Sequence, residues 1–349
     1  MRAVAVLALL VLLAGCFGPA RPADAVPFDG AAALGWVKAV ALRDDGSPRF
    51  RIPSTEGQRE GAAVLWGATA VSGWTRSWQN FTGTDYLALD RSVVRGYTPG
   101  PEVVRRYCSE AAEAKVPGLA FANLLVVRAG THAGAPLVLL GAHWDSQMHS
   151  DNDPDPSKRG LPDPGANDGA SGVGVLLQLM RHLDAMAPLP FSVGILFIDG
   201  EDGFYDCYPD AGSLYFAQHP LVAASSFVLL DMVGDPGALY PKESYSRSSA
   251  PALQDLLWSH GQALPGGAAH FVNTTTTIED DHLAFIQAKV PSVDVIDAGR
   301  LTTFPPQWDT TFDTVDRLDA TMLGLVGETL ARTLADPAFS ALLRAPGSA

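Results

Sequence analysis

The stretch Phe191–Phe204, FSVGILFIDGEDGF, constrains this chain more than any other. Val193–Ile198 is an apolar run rich in β-branched and aromatic residues, which predicts a strand buried on both faces of a sheet. The run stops abruptly at Asp199-Gly200-Glu201-Asp202-Gly203. Three carboxylates this close together at the end of a core strand repel one another unless a cation or a proton separates them. In open α/β sheets the carboxyl ends of strands are where ligands bind. Glu201 and Asp202 are therefore the expected chemical centre.

The rest of the chain alternates in the same style. Helical spacing of apolar residues marks Thr55–Trp74, with Ser54 or Thr55 as a cap, and a further helix is expected around Val103–Ala112. Ala122–Ala129 and Pro136–Ala142 read as adjacent strands. Asp168–Met186 reads as a long helix and Phe227–Met232 as another buried strand. Pro251–Ala263 and Asp281–Ala288 follow as helices, then Ser292–Ile296 as a strand and Asp319–Leu334 as a closing helix. This alternation predicts a three-layer α/β/α domain around a mixed, mostly parallel sheet, with no second domain. Gln147–Gly165 and Gly234–Ser249 are rich in Pro, Asp and Gly and read as surface excursions around a site mouth.

At the N-terminus Arg2 precedes the apolar run Ala3–Leu13, which is too short to span a membrane stably. Leu13-Ala14-Gly15-Cys16 resembles a bacterial lipobox, so residues 1–16 are expected to be a lipoprotein signal peptide with Cys16 as the lipidation site. An ordinary secretory peptide cleaved near Ala20 or Ala23 is the alternative. Residues 17–30 read as a tether and residues 31–349 as the single domain. Either reading exports the protein, and any membrane attachment is through lipid. Export permits a bridge between the remaining cysteines, Cys108 and Cys207, without establishing one. The formal charge of −14 argues against a nucleic-acid partner.

Four further sites repeat the pattern of an acid or histidine at the end of an apolar run. They are His143-Trp144-Asp145, Asp168 among small residues, Asp231 at the end of LLD, and Glu279-Asp280-Asp281-His282 before a short helix. His143 and Asp145 are two apart, so on an extended backbone they share a face, and the acid can orient the imidazole. Taken alone, each has a plain reading as a core hydrogen bond or a helix cap.

Their order, together with Phe304-Pro305-Pro306-Gln307-Trp308 and Thr310-Thr311-Phe312-Asp313-Thr314, resembles the M28 superfamily of zinc aminopeptidases and glutaminyl cyclases, from about Pro53 to Leu334. The Glu279–His282 and Phe304–Trp308 segments look more like the glutaminyl-peptide cyclotransferase branch. The resemblance implies that Asp168 and Asp202 are metal ligands and that Glu201 is the general acid/base. It implies that Asp231 and Asp280 are carboxylates beside the reacting group. Trp308, Phe304 and His282 would form the substrate pocket. The implied cofactor is one Zn²⁺, the implied partners are peptide or protein N-termini, and the implied product is pyroglutamate with release of ammonia.

The chain departs from that pattern at Asp309, where the family places a metal-binding histidine. Three carboxylates around a divalent ion leave one net negative charge, where two carboxylates and an imidazole leave none. Carboxylates do bind zinc, so Asp309 is the expected third ligand. An all-oxygen shell also suits harder divalent ions. A second arrangement places His143 and Asp231 on one ion and Asp202 and Asp309 on another, bridged by Asp168, as in two-zinc aminopeptidases. A third reading is a catalytically silent binding lipoprotein with a degraded metal site. Cys207 stands where the cyclases often carry a pocket tryptophan.

Overall fold

The computed structural model describes residues 27–90, 111, 114–205, 210–299 and 304–343. Cys16, Cys108, Cys207, most of the tether and nearly all of the helix expected at Val103–Ala112 lie outside these residues.

A six-stranded sheet organises the molecule. Its strands are β1 (Trp74–Thr82), β2 (Ala120–Arg128), β3 (Leu137–His143), β4 (Ser192–Ile198), β5 (Ser226–Asp231) and β8 (Ser292–Ile296), in the order β1-β2-β4-β3-β5-β8. β4, β3, β5 and β8 run parallel, while β1 and β2 add an antiparallel edge. A parallel two-stranded sheet, β6 (Tyr240–Glu243) with β7 (Phe271–Thr276), stands apart.

Side-chain alternation sorts the central strands onto two cores. Val138, Leu140, Val193, Ile195, Phe197, Val228 and Leu230 face one core, which is closed by α1 (Gly30–Ala41), α4 (Ala170–Asp184) and α9 (Ala320–Ala335). Leu137, Leu139, Leu196, Ile198, Phe227 and Leu229 face the other. That side is closed by α5 (Ala211–Gln218) and α8 (His282–Gln287) through Leu214, Phe216 and Phe285. This is the doubly covered α/β/α sandwich expected from the alternating pattern, and it explains why Val193–Ile198 contains no polar residue. α2 (Glu56–Ala68) starts at Thr55, whose hydroxyl accepts from Gln58 N at 3.3 Å.

Three expectations differ from the structure. β2 and β3 are not neighbours, because β4 lies between them, antiparallel to one and parallel to the other. The connecting segment passes the start of β4, where Gly130 N donates to Ser192 Oγ and Thr131 N to Leu189 O, both at 3.0 Å. Apolar runs mark strands but carry no information about which strands pair. The segment after Ala68 is also not helical to Trp74; that residue opens β1, the sheet edge. Finally, Gly234–Ser249 is not a surface excursion. It contains β6 and α6 (Ser244–Ser249), and Glu243 within it is fully buried.

Candidate metal centre and its acid

The parallel strands deliver their last residues to one place. β3 ends on His143 and β5 on Asp231. β4 ends on Ile198 and turns through Gly200, at φ 74°, where a Cβ would lie 2.6 Å from the Phe121 ring. That turn presents Glu201 and Asp202. The loop after β3 brings Asp168 to the start of α4, and the loop before α9 brings Asp309. Asp168 does not cap α4, whose N-cap is Gly169 at φ 78° with no side-chain cap bond. A Cβ on Gly169 would sit 2.6 Å from His143 Cε1. The glycine therefore lets the chain pass against the imidazole and turns the Asp168 carboxylate inward.

Ligating atoms of Asp168, Asp202 and Asp309 lie within 4.8 Å of one another, as do those of His143, Asp168 and Asp231. Asp168, Asp202 and Asp309 are 5%, 7% and 3% exposed. Their burial, reinforced by the neighbouring carboxylates, pushes Asp202 and Asp309 well above the ordinary carboxylate range. Asp231 is raised by burial and by Asp168, against the favourable contact with His143. His143 Nε2 lies 2.9 Å from Asp168 Oδ1 and 3.3 Å from Asp231 Oδ1. Its Nδ1 lies 3.4 Å from Asp145 Oδ1. Burial opposes charge on this ring, but the surrounding carboxylates outweigh it and hold His143 well above its ordinary value.

Glu201 differs from these acids in its exposure, since 20% of its side chain meets solvent. Desolvation, helped by Asp202, Asp280 and Asp281 and opposed by His143, pushes its carboxyl well up. The result is a carboxyl whose proton is held more tightly than an ordinary carboxylate's, at the open side of a carboxylate cluster.

The scaffolding beneath the cluster is itself charged. Asp145 accepts from Glu201 N at 3.2 Å and Asp202 N at 3.1 Å, which fixes the turn that carries both acids. Asp313 does the same for the other loop, accepting from Asn167 N and from Asp168 N at 2.9 Å. Asp309 is held by Asn152, whose Nδ2 donates to Asp309 Oδ2 at 3.1 Å and whose backbone N donates to Asp309 O at 2.9 Å. Arg51, 0% exposed, donates to the carbonyls of Trp144, Asp145, Pro164 and Gly165 and so ties the end of β3 to the Asp168 loop. Sequence reading missed Arg51, Asn152 and the clamping role of Asp313. No local pattern marks an arginine that bonds to carbonyls contributed by distant segments.

Phe304 and Trp308 meet at a tilt of 43° with ring centroids 4.3 Å apart and pack on Met232, Ile278, Ile296 and Ala298, forming an apolar wall. Asp280 is 3% exposed and raised by burial, Asp294, Asp231 and Asp281. His282 is fully enclosed and points to Glu243, with Nε2 to Oε2 at 3.2 Å. This places its ring behind the site rather than on the pocket wall.

The donor set fits a divalent ion. Asp202 Oδ2 is buried without a hydrogen-bond partner, and the three carboxylates that converge there cannot all be ionised without a cation between them. Asp309, the residue that departs from the resemblance, is inside this triad with its carboxylate turned toward the other two.

The model of peptidase family M28 matches residues 123–334. A glutaminyl-peptide cyclotransferase-like protein of Mus musculus is 28% identical over 232 residues, covering 56% of this chain and 56% of that protein. The chain thus spans little more than half the length of that curated relative. Among solved structures, Bacteroides thetaiotaomicron glutaminyl cyclase bound to N-acetylhistamine superposes with a TM-score of 0.71 at 27% identity, covering 88% of this chain and 97% of that one. A Zn-dependent exopeptidase from Parabacteroides distasonis superposes with a TM-score of 0.71 at 28% identity, covering 88% and 98%.

Proposed function

The chain belongs to peptidase family M28, and from that membership we propose a zinc-dependent, glutaminyl-peptide cyclotransferase-like enzyme that converts N-terminal glutamine to pyroglutamate and ammonia. The observation that carries this reading is Glu201, partly exposed and raised in pKa, beside a buried carboxylate triad whose Asp309 directly follows Trp308 of the apolar wall. Similarity to glutaminyl cyclases supports it.

Asp168, Asp202 and Asp309 would hold the ion, which when bound supplies Lewis-acid polarisation of the glutamine γ-carbonyl. The aromatic wall binds the glutamine side chain and excludes water. Glu201 accepts a proton from the α-amine as its nitrogen attacks the side-chain carbonyl carbon, Cδ. It then returns that proton to the amide nitrogen, which leaves as ammonia when the carbon–nitrogen bond breaks. Asp231 and Asp280 accept hydrogen bonds from the amine and orient it.

The His143, Asp168 and Asp231 cluster favours a second reading, a two-ion aminopeptidase in which Glu201 takes its proton from water. Ammonia release from Gln-dipeptides, measured beside hydrolysis of aminoacyl anilides and a metal count, separates the two. Anilide hydrolysis without ammonia, at two ions per chain, overturns the cyclase reading.

Among the described residues no helix is long and apolar enough to cross a membrane. Export and a lipid on Cys16 belong to the same proposal. Mass spectrometry of the mature N-terminus tests them, and an unmodified terminus beyond Cys16 would remove the lipid.

A further inference from the structure

The loop that leaves β3 carries Asp168, and before reaching it the chain connects the other two members of the triad. Residues 147–153 run as a strap from the turn of Asp202 to the turn of Asp309. At the near end Gln147 Oε1 accepts from Gly203 N at 3.1 Å, and Met148 N donates to Gly203 O at 3.3 Å. Both bonds grip the residue next to Asp202. At the far end Asn152 holds Asp309 through its backbone N and its side-chain amide. Its neighbour Asp153, 0% exposed, accepts from Thr311 N at 3.1 Å and from Thr311 Oγ1 at 2.6 Å. The strap is itself braced, since Asp153 N donates to Ser150 O at 2.9 Å and Ser150 N donates to Leu161 O at 2.8 Å.

Within the strap Asn152 has a task of its own. The bonds to Asp309 O and to Thr311 fix the backbone around position 309. They leave χ1 and χ2 of Asp309 to be set by what its carboxylate meets. Among the described residues the Asn152 amide is the one hydrogen-bond donor to that carboxylate, with Nδ2 3.1 Å from Oδ2. The bond fixes the plane of the carboxylate. An amide is neutral, so it orients the group without cancelling the charge that a cation needs, whereas a lysine or arginine would compete with the ion. Carboxylates that bind metals are held by such outer hydrogen bonds, and losing one costs about 10–100-fold in metal affinity. The Asn152 side chain is exposed, so it adds little packing to the fold.

We propose that Asn152 is a positioning residue for the metal centre, whose amide aims the Asp309 carboxylate at the point where Asp168 and Asp202 converge. The strap sets the spacing between Asp202 and Asp309. This role rests on Asp309 being a ligand, as in the function proposed above.

A double-mutant cycle of Asn152→Ala and Asp309→Gly tests it in the full-length protein, stripped of metal and titrated with Zn²⁺ against a competing chelator. Glycine accepts the left-handed backbone at position 309 and removes the carboxylate. Asn152→Ala should weaken zinc by about 10–100-fold, with the Tm of the metal-free protein within about 2 °C of wild type. Asp309→Gly should weaken zinc further than that. In the Asp309→Gly background the alanine should change zinc affinity by less than about twofold, because no carboxylate is left to aim. Unchanged affinity in Asn152→Ala beside a weakened Asp309→Gly overturns the positioning role and leaves Asp309 a ligand. An equal loss in both backgrounds, or a loss that follows a lower metal-free Tm, makes Asn152 purely structural and overturns the role as well. Unchanged affinity in Asp309→Gly overturns the ligand reading, and the positioning role falls with it.

Discussion

Apart from Glu201, the acids at the ends of β3, β4 and β5 are buried like those beside β8, but their charge is handled differently. Around Asp168, Asp202 and Asp309 the carboxylates converge with an oxygen left over, and the backbone amides that could serve as donors are already bound to Asp145 and Asp313. Around Glu243 the donors are the first amides of α6, a serine hydroxyl and an imidazole. The Glu243 carboxylate is thus satisfied by donors from within the fold, whereas Asp202 Oδ2 in the first group is not. A folded chain that leaves several buried anions facing one another needs an outside cation there, and this separates a ligand site from polar structural support.

The strongest way to break this comparison is at Glu201. Glu201→Gln should lower turnover by about 10²–10⁴-fold while metal content is unchanged, because its task is to move a proton rather than to hold an ion. Steady-state kinetics beside elemental analysis checks it, and a parallel loss of metal would merge the two roles. Asp202→Asn should instead weaken divalent-ion affinity by at least about 100-fold, read by competitive chelation. Removing the ion from the unmodified protein should expose the raised acids. With Asp202 and Asp309 raised by burial, the metal-free protein should lose stability as pH rises from about 4 toward 8, and a bound ion should flatten that slope.

Glu243→Gln probes the internally satisfied group. It should cost about 1–3 kcal/mol at neutral pH, through weakened charge-assisted hydrogen bonds. Glu243 is depressed to about 2, so its contribution is present above its ordinary value of 4.5 and fades as pH falls toward 2. The gap between mutant and wild type in denaturant melts should therefore shrink over that range. The smallest effect is expected at Asp309. Asp309→His should tighten zinc by about tenfold, ~1.4 kcal/mol, because the imidazole nitrogen is a donor that zinc prefers and its gain outweighs the lost negative charge.

The first acid group was largely legible in the sequence because buried strands are apolar until they stop. Asp202 and Asp231 interrupt those runs abruptly, and Asp168 stands among glycines and alanines. The second group was half legible. His282 and Asp280 were visible before their short helix, but the ring faces inward because Glu243 draws it there. Glu243 itself lies in a Gly- and Ser-rich stretch that reads as exposed loop. Arg51 left no trace, because its partners are backbone carbonyls contributed by other segments. The pairing of β2 with β4 rather than β3 was invisible for a similar reason, since alternation sets a strand's faces and says nothing of its neighbours.

Asp309 occupies left-handed backbone, φ 52°, pinned on both sides by Asn152. Asp, Asn and His are the side chains most often found in that conformation apart from glycine. Backbone geometry therefore narrows what can stand at this proposed ligand position before any metal is considered. Aspartate and histidine codons differ by one base at the first position. A single nucleotide change could move this site between oxygen and nitrogen coordination without disturbing the loop that carries it.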